Sequence, residues 1–182
     1  MEILCATAEI EDLDSFVAEL DAIGEEFGCA VQAFDARYVA GSEHLANGVR
    51  LANRATERGE TIARERSVEI LLYVAGRRQI NRAFEIGVSE GECEVVIVVD
   101  VLGGEAPESQ PEADASGDGR DEREAINALS DLVKPADWKP GDHADSERIT
   151  DFYEITDAER EATDASLEEL VCERVALLVV EQ

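Results

Sequence analysis

The sequence predicts a single α/β domain in which helices pack against a small mixed β-sheet. Three observations lead to this prediction. The first 35 residues follow a strand, helix, strand pattern. In residues 94–99, five apolar residues follow Glu94 without alternation, which is typical of a strand covered on both faces in the middle of a sheet. Later segments repeat apolar residues at helical spacing, and 182 residues are enough for one domain with a buried core.

The opening pattern joins two short β-prone runs, residues 2–8 and 29–35, through a helix. Asp12 can cap the N-terminus of this helix, and Gly28 can end it. One face of the helix collects the apolar side chains, namely Leu13, Phe16, Val17, Leu20, Ile23 and Phe27.

A second helix is predicted over residues 43–58, with Ser42 as its N-cap and Gly59 just after its last turn. A narrow apolar stripe marks one side of it, formed by Leu45, Val49 and Ala52. Three arginines recur every four residues and therefore share another face. We call this face the arginine ridge, and its members are Arg50, Arg54 and Arg58.

A third helix is expected over residues 63–75, because four apolar residues there keep helical spacing. Gly76 breaks it, and a helix is expected to restart over residues 77–86 and to bury Ile80, Ala83 and Phe84. A strand over residues 68–74 is the competing interpretation, since Val, Ile and Tyr favour sheets.

Residues 103–124 are rich in Gly, Pro, Ser and acids, and this composition predicts a disordered acidic insertion. A short helix is predicted next, over residues 124–133. Thr156 with Glu159, and Ser166 with Glu169, are capping boxes that predict two more helix starts. Residues 176–180 can end the last helix or form a strand.

The chain is strongly acidic, with 43 Asp and Glu against 16 Lys and Arg and a net charge of −27. We interpret this as adaptation to a saline cytoplasm, because high salt screens the repulsion between exposed charges. The competing interpretation is that the acidity serves a cationic partner. Far-UV circular dichroism at increasing KCl concentration distinguishes these two interpretations, since full folding at low salt would contradict the adaptation to salt.

One window reverses this balance. Residues 37–82 carry five acids and a local net charge of +4, because they contain nine arginines: Arg37, Arg50, Arg54, Arg58, Arg64, Arg66, Arg77, Arg78 and Arg82. Two features of the window favour an anionic ligand. A helix starting just after Gly76 would offer free N–H groups beside Arg77 and Arg78, and the arginine ridge would lie on a nearby helix. The alternative is that these arginines only pair with the protein's own acids.

Motifs for catalysis are missing from the sequence. It has no phosphate-binding loop and no dinucleotide fingerprint, and its two histidines, His44 and His143, are far apart. The four cysteines are isolated and are expected to be buried thiols. We therefore expect no enzyme activity, no cofactor, no metal and no small-molecule substrate. Without an apolar leader or a membrane-spanning run, a cytoplasmic protein with no membrane partner is expected.

The segment Glu69-Ile-Leu-Leu-Tyr-Val-Ala-Gly-Arg-Arg-Gln-Ile80, which we call the signature segment, resembles the E-[IL]-L-x-x-x-[AS]-G-x-R-Q-I signature of the CGI-type subunit of the KEOPS complex. This family includes the binding protein of the small p53-related kinase. Residues 43–45, 152–156 and 167–178 also resemble the family. The resemblance covers nearly the whole chain except residues 103–124, and the acidity points to a halophilic archaeal member.

The resemblance implies a subunit without catalysis that binds the small kinase-like ATPase subunit and the single-stranded 3′ CCA end of tRNA. The complex makes threonylcarbamoyladenosine in tRNA. It implies RNA contacts at Arg78, Gln79 and Ile80, with Ala75 and Gly76 shaping the pocket. Their positive charge, and not the resemblance, adds Arg77, Arg82 and the arginine ridge to the expected RNA contacts.

The main alternative is a protein-only regulatory scaffold that binds no RNA. For the kinase contact, the C-terminal helices and the helix over residues 63–75 are the candidates, although their apolar stripes also suit the domain core.

Overall fold

A four-stranded antiparallel sheet separates two layers of helices in the computed structural model, which describes residues 1–101 and 120–180. The strands are β1 (Glu2–Ile10), β2 (Cys29–Asp35), β3 (Gly91–Val101) and β4 (Lys134–Pro135). Their order is β2-β3-β1-β4, and β3 pairs antiparallel with both β1 and β2.

The α/β class, with helices packed against a small sheet, is confirmed. The sheet is antiparallel in all its described pairings rather than mixed. A strand–helix–strand opening suggests two adjacent parallel strands. Here β1 and β2 do run in the same direction, but β3 inserts between them and pairs antiparallel with each.

Eight helices are present in the described residues: α1 (Leu13–Phe27), α2 (Ser42–Arg58), α3 (Arg66–Ala75), α4 (Ile80–Ala83), α5 (Arg120–Leu132), α6 (Ser146–Tyr153), α7 (Asp157–Ala162) and α8 (Leu167–Val180). Single 3₁₀ turns occur at Ala36–Tyr38 and Phe84–Ile86. The strand alternatives for residues 68–74 and 176–180 are wrong, because both lie in helices.

The local capping signals are confirmed at most positions. Asp12 accepts a hydrogen bond from the Ser15 amide at 2.7 Å, and Gly28 ends α1 with a φ of 64°. Both capping boxes form, at the starts of α7 and α8. Ser42 is not an N-cap, because α2 already includes it and Gly41 takes that position.

The sheet carries a hydrophobic core on each face. On one face, β2 and β3 pack against α2, α3, α6 and α8, with Phe34 and Val98 fully buried. On the other face, the sheet packs against α1 and α5, with Leu20 and Leu129 buried. Residues 95–99 of β3 are completely buried, which confirms the predicted central strand.

Two predictions about the middle of the chain are wrong. Ile80 and Phe84 were expected to be buried, but they are 41% and 54% exposed, while Ile86 takes the buried position beside Ala83. A 3₁₀ turn follows the single turn of α4, and this change of period rotates the apolar residues out of one common face.

The predicted insertion mostly lies outside the described residues, which omit 102–119. Its last part belongs to α5, which begins at Arg120 rather than at residue 124. The short strand β4 and the helix α6 were not predicted. No helix in the described ranges is both long and apolar enough to cross a bilayer.

Candidate functional site

The signature segment begins inside the core. Glu69 is 1% exposed, and its carboxylate accepts hydrogen bonds from the amides of Ile62 and Ala63, which belong to the loop between α2 and α3. Buried carboxylates need such partners, since an unpaired one is costly. Glu69 therefore fixes the loop that enters α3.

α3 ends at Gly76, which adopts the left-handed conformation with a φ of 60°. The amide of Gly76 donates to the Tyr73 carbonyl, and the amide of Arg77 donates to the Leu72 carbonyl. A β-carbon on Gly76 would lie 3.5 Å from the Val175 Cα atom of α8, which is an ordinary van der Waals contact. Glycine is thus favoured here by its left-handed backbone conformation.

The last turn of α3 leaves carbonyls without helical partners, and the Val74 carbonyl is buried. The Tyr153 hydroxyl donates to it at 3.0 Å, and His44 Nε2 lies 2.9 Å from it. Since His44 Nδ1 accepts from the Ala40 amide, the ring proton is on Nε2. Burial lowers the pKa of His44 to about 4, although the hydrogen bond to Val74 opposes this shift.

Arg77 points back to the protein. Its guanidinium donates to the Phe152 carbonyl and to Glu154, the latter at 3.0 Å, and it lies 5.4 Å from the centre of the Phe152 ring. Arg174 of α8 donates to the Tyr153 and Glu154 carbonyls. The two arginines together cap the C-terminus of α6, where positive charge is favourable.

The next three side chains, of Arg78, Gln79 and Ile80, are exposed, and we call them the exposed step. Arg78 has one long contact of 3.5 Å to the Leu178 carbonyl in α8. Within the described ranges, the Gln79 side chain has no hydrogen-bond partner.

The expected helix start just after Gly76 is wrong. α4 begins at Ile80 and has four residues, and the Arg77 amide is already donated to α3. The positive end of a helix dipole is therefore not available just after Gly76 to bind an anion.

The arginine ridge lies on the solvent side of α2. Its members are exposed, and in the described part of the chain none of them forms a salt bridge. The opposite side of α2 packs against α3 and α8, where Gly48 allows Val74 to approach closely. The ridge and the exposed step therefore belong to the same helical layer. The last predicted arginine, Arg82, pairs with Glu85 at 2.7 Å on the surface.

Sequence reasoning missed one connection in this layer. The Glu168 carboxylate at the start of α8 accepts from the amides of Glu43 and His44 and so caps α2. The segments with family resemblance thus meet around the end of α3, since His44, Val74, Tyr153 and Glu168 join them through hydrogen bonds. The resemblance of residues 43–45 and 152–156 was the available signal for this cluster.

In the described ranges, no group of three or more His, Cys, Asp or Glu side chains is arranged to hold a metal ion. All four cysteines are free thiols; Cys5 and Cys29 are buried, whereas Cys93 and Cys172 are half-buried.

Comparison with known proteins gives a family match that covers all of these segments. A family model described as kinase binding protein CGI-121 matches residues 10–178, which is most of the chain. No curated protein matches the chain. The matched range includes the exposed step, the arginine ridge and the buried cluster that connects α2, α3, α6 and α8. The chain belongs to the CGI-121 family of kinase-binding proteins.

Proposed function

We propose that this protein is a non-catalytic KEOPS subunit that binds the small kinase-like ATPase subunit and the 3′ CCA end of tRNA. In this role it supports threonylcarbamoyladenosine modification of tRNA. Kinase binding is the description of the family. The observation that supports tRNA binding is the exposed step, three consecutive side chains that face solvent and are separated by two residues from the end of the buried helix α3.

The chemistry of the exposed step suits single-stranded RNA. The Arg78 guanidinium can stack on a base or pair with a phosphate, the Gln79 amide can read a base edge, and Ile80 offers apolar area for stacking. We expect Ala75 and Gly76 to shape the surface below the exposed step, where the backbone of α8 lies within van der Waals range of Gly76. The arginine ridge offers charges for the phosphates of the adjoining stem.

Arg77 and Arg82 differ in what they can offer. The Arg77 side chain is 24% exposed and is held by Phe152 and Glu154, so we expect it to position the exposed step rather than to touch RNA. The pair between Arg82 and Glu85 is exposed, and such pairs contribute only ~0–1 kcal/mol. Arg82 can therefore exchange Glu85 for a phosphate.

The test is binding of intact tRNA, and of tRNA lacking its CCA end, in about 1 M KCl, where long-range charge effects are screened. We expect the Arg78→Ala, Gln79→Ala double variant to bind intact tRNA about tenfold more weakly, because base stacking is worth ~1–3 kcal/mol per base. The truncated tRNA should bind the wild type and this variant equally weakly.

The matched control is Arg123→Ala with Asn127→Ala, an exposed arginine and amide on α5 in the opposite helical layer. This control should bind intact tRNA like the wild type. Equal binding of the two tRNAs to the wild type would contradict the CCA site.

The protein-only scaffold is supported by a different observation. Arg37 pairs with Asp35 at 2.5 Å and Arg66 pairs with Asp100 at 3.2 Å, so part of the positive window neutralises the protein's own acids. A scaffold predicts kinase binding with no measurable tRNA binding. The tRNA experiment therefore separates the two functions, provided that the same preparation still binds the kinase subunit.

For the kinase contact, residues 69–75 of α3 are not available as a surface, because they are buried; only the first turn of α3 is partly exposed. This corrects one of the two candidates. The outer side of α8 stays a proposal, since Leu177 there is 46% exposed. Leu177→Glu should weaken binding of the kinase subunit, whereas Ala22→Glu, an equal charge on an exposed position of α1, should not. Equal binding by both variants would contradict an α8 contact.

A further inference from the structure

The strand β2 forms one edge of the sheet, and a groove of 760 Å³ runs along it. α1 forms one wall of the groove, and the start of α3 with Phe84 and Val88 forms the other, while residues 29–33 of β2 line its floor. Within the described ranges, the outer edge of β2 has one bridge, between Phe34 and Gly87. The rest of this edge has no strand partner in the described ranges and faces the groove, where Gln32 is half-buried and residues 29–31 and 33 are 2–5% exposed.

Two large apolar side chains stand exposed on the walls of the groove. Val17 on α1 is 42% exposed, and Phe84 on the other wall is 54% exposed. Half-buried Leu13, Val68 and Val88 continue the apolar lining between them. This arrangement suits the alternating side chains of an extended peptide, whose backbone would pair with β2.

The rim of the groove is negative. It carries Asp14, Asp21, Glu25 and Glu65, and its one basic side chain, Arg66, is already paired with Asp100. Burial, together with the negative charges of Glu25 and Glu65, raises the pKa of Asp21. The carboxylates from α1 and from the opposite wall therefore repel one another, and a cation placed between them would relieve the repulsion.

We propose that the β2 groove binds an extended basic segment of a partner protein, which adds to the sheet as a strand beside β2. The charge of the rim selects this occupant. A second copy of the chain would bring the same carboxylates and a net charge of −27. The chain's own residues 102–119 contain five acids and no base, and RNA would bring phosphates. This site does not depend on the tRNA surface proposed at the exposed step.

The direct test uses a fluorescent peptide of alternating valine and threonine with lysine at both ends, and fluorescence polarisation measures its binding to the full chain. Two control peptides separate the two parts of the proposal. One replaces the lysines by glutamate and tests the charge of the rim; the other has a central proline and tests strand pairing, because proline lacks the amide donor. We expect saturable binding of the lysine peptide and little binding of either control.

Because any basic peptide is attracted to so acidic a protein, the site is located with charge-matched variants. Asp21→Lys with Glu25→Lys should weaken binding of the lysine peptide by about tenfold, since it removes two favourable charge contacts and adds repulsion. Glu124→Lys with Asp131→Lys changes the net charge equally at exposed positions of α5, outside the groove, and should leave the affinity nearly unchanged. Circular dichroism should show equal folding of both variants.

An equal loss of affinity for the lysine peptide in both double variants would overturn the proposal, because it would indicate non-specific attraction to the acidic surface. Equal binding of the proline peptide would overturn the added strand. If the chain instead forms dimers in light scattering, and Val17→Asp abolishes them without any binding of the lysine peptide, then the groove receives a second copy and the proposed occupant is wrong.

Discussion

Residues 69–75 and the exposed step are parts of one signature segment, yet they lie in opposite environments. Every residue from 69 to 75 is at most 1% exposed, whereas Arg78, Gln79 and Ile80 face solvent. The first part holds the fold through Glu69 and the Val74 carbonyl. A sequence signature can therefore combine residues that build a surface with residues that use it, and only the second kind should affect binding without affecting stability.

Gly76 and Arg77 separate the two parts. Gly76 turns the chain away from the α3 axis, and Arg77 is drawn back to the end of α6. The contrast between the buried and exposed parts can be tested by four predictions, which run from the largest expected effect to the smallest.

Glu69→Ala should lower the free energy of unfolding by about 4 kcal/mol, because the amides of Ile62 and Ala63 lose a charged acceptor. Urea denaturation measures this effect. Glu65→Ala, a neighbouring exposed glutamate, is the control and should change stability by less than about 0.5 kcal/mol. Similar values for the two variants would show that the buried part is not structural.

His44 should make stability depend on pH. Its pKa is about 4 in the folded protein against an ordinary value of 6.5, so the unfolded chain takes up the proton first as the pH falls. The contribution of neutral His44 to the free energy of unfolding is complete above pH 6.5. It is lost as the pH falls towards 4, and the total loss is about 3 kcal/mol. His44→Gln should lack this part of the dependence in urea denaturation at each pH; an unchanged profile would contradict a buried neutral imidazole.

Arg77→Ala and Arg78→Ala compare adjacent arginines directly. Arg77→Ala should destabilise the protein by about 2 kcal/mol, since the end of α6 loses a charged donor and a contact with the Phe152 ring. Arg78→Ala should change stability by less than about 0.5 kcal/mol and should weaken only the proposed tRNA binding. Thermal unfolding of both variants measures this, and a reversed order would place the boundary between the two parts elsewhere.

Tyr153→Phe removes one hydroxyl that donates to the Val74 carbonyl, and it should destabilise the protein by about 1 kcal/mol. Tyr38→Phe is the control, because the Tyr38 hydroxyl has no hydrogen-bond partner in the described part of the chain while its ring also packs on Phe152. A larger effect at Tyr38 than at Tyr153 would contradict the assigned role of the Val74 carbonyl.

Much of the local structure could be predicted from the sequence. Asp12, Gly28, Gly59 and Gly76 mark helix ends at the expected positions, because capping depends on residues only a few positions apart. The central strand β3 could be predicted because its apolar run shows no exposed face. The antiparallel order could not, since the position of β3 between β1 and β2 depends on pairing between distant segments.

The site was predicted less completely. The family resemblance selected the exposed step, whereas charge alone added Arg77 beside Arg78, and helical periodicity wrongly predicted that Ile80 is buried. Arg77 is held by residues more than 70 positions away, and no local pattern shows such a contact. The edge groove at β2 had no signal in the sequence, because it forms between α1, β2 and the region around Phe84 only after the sheet is ordered.

The sequence by itself determined the α/β class, most helix ends, the positive window in an acidic chain and the resemblance to a kinase-binding family. These properties depend on composition or on neighbours along the chain. The tertiary structure alone decided which arginines face solvent, which carboxylate holds a loop and which strands lie at the edges of the sheet. These properties depend on contacts between residues far apart in sequence, which exist only when the two helical layers enclose the sheet.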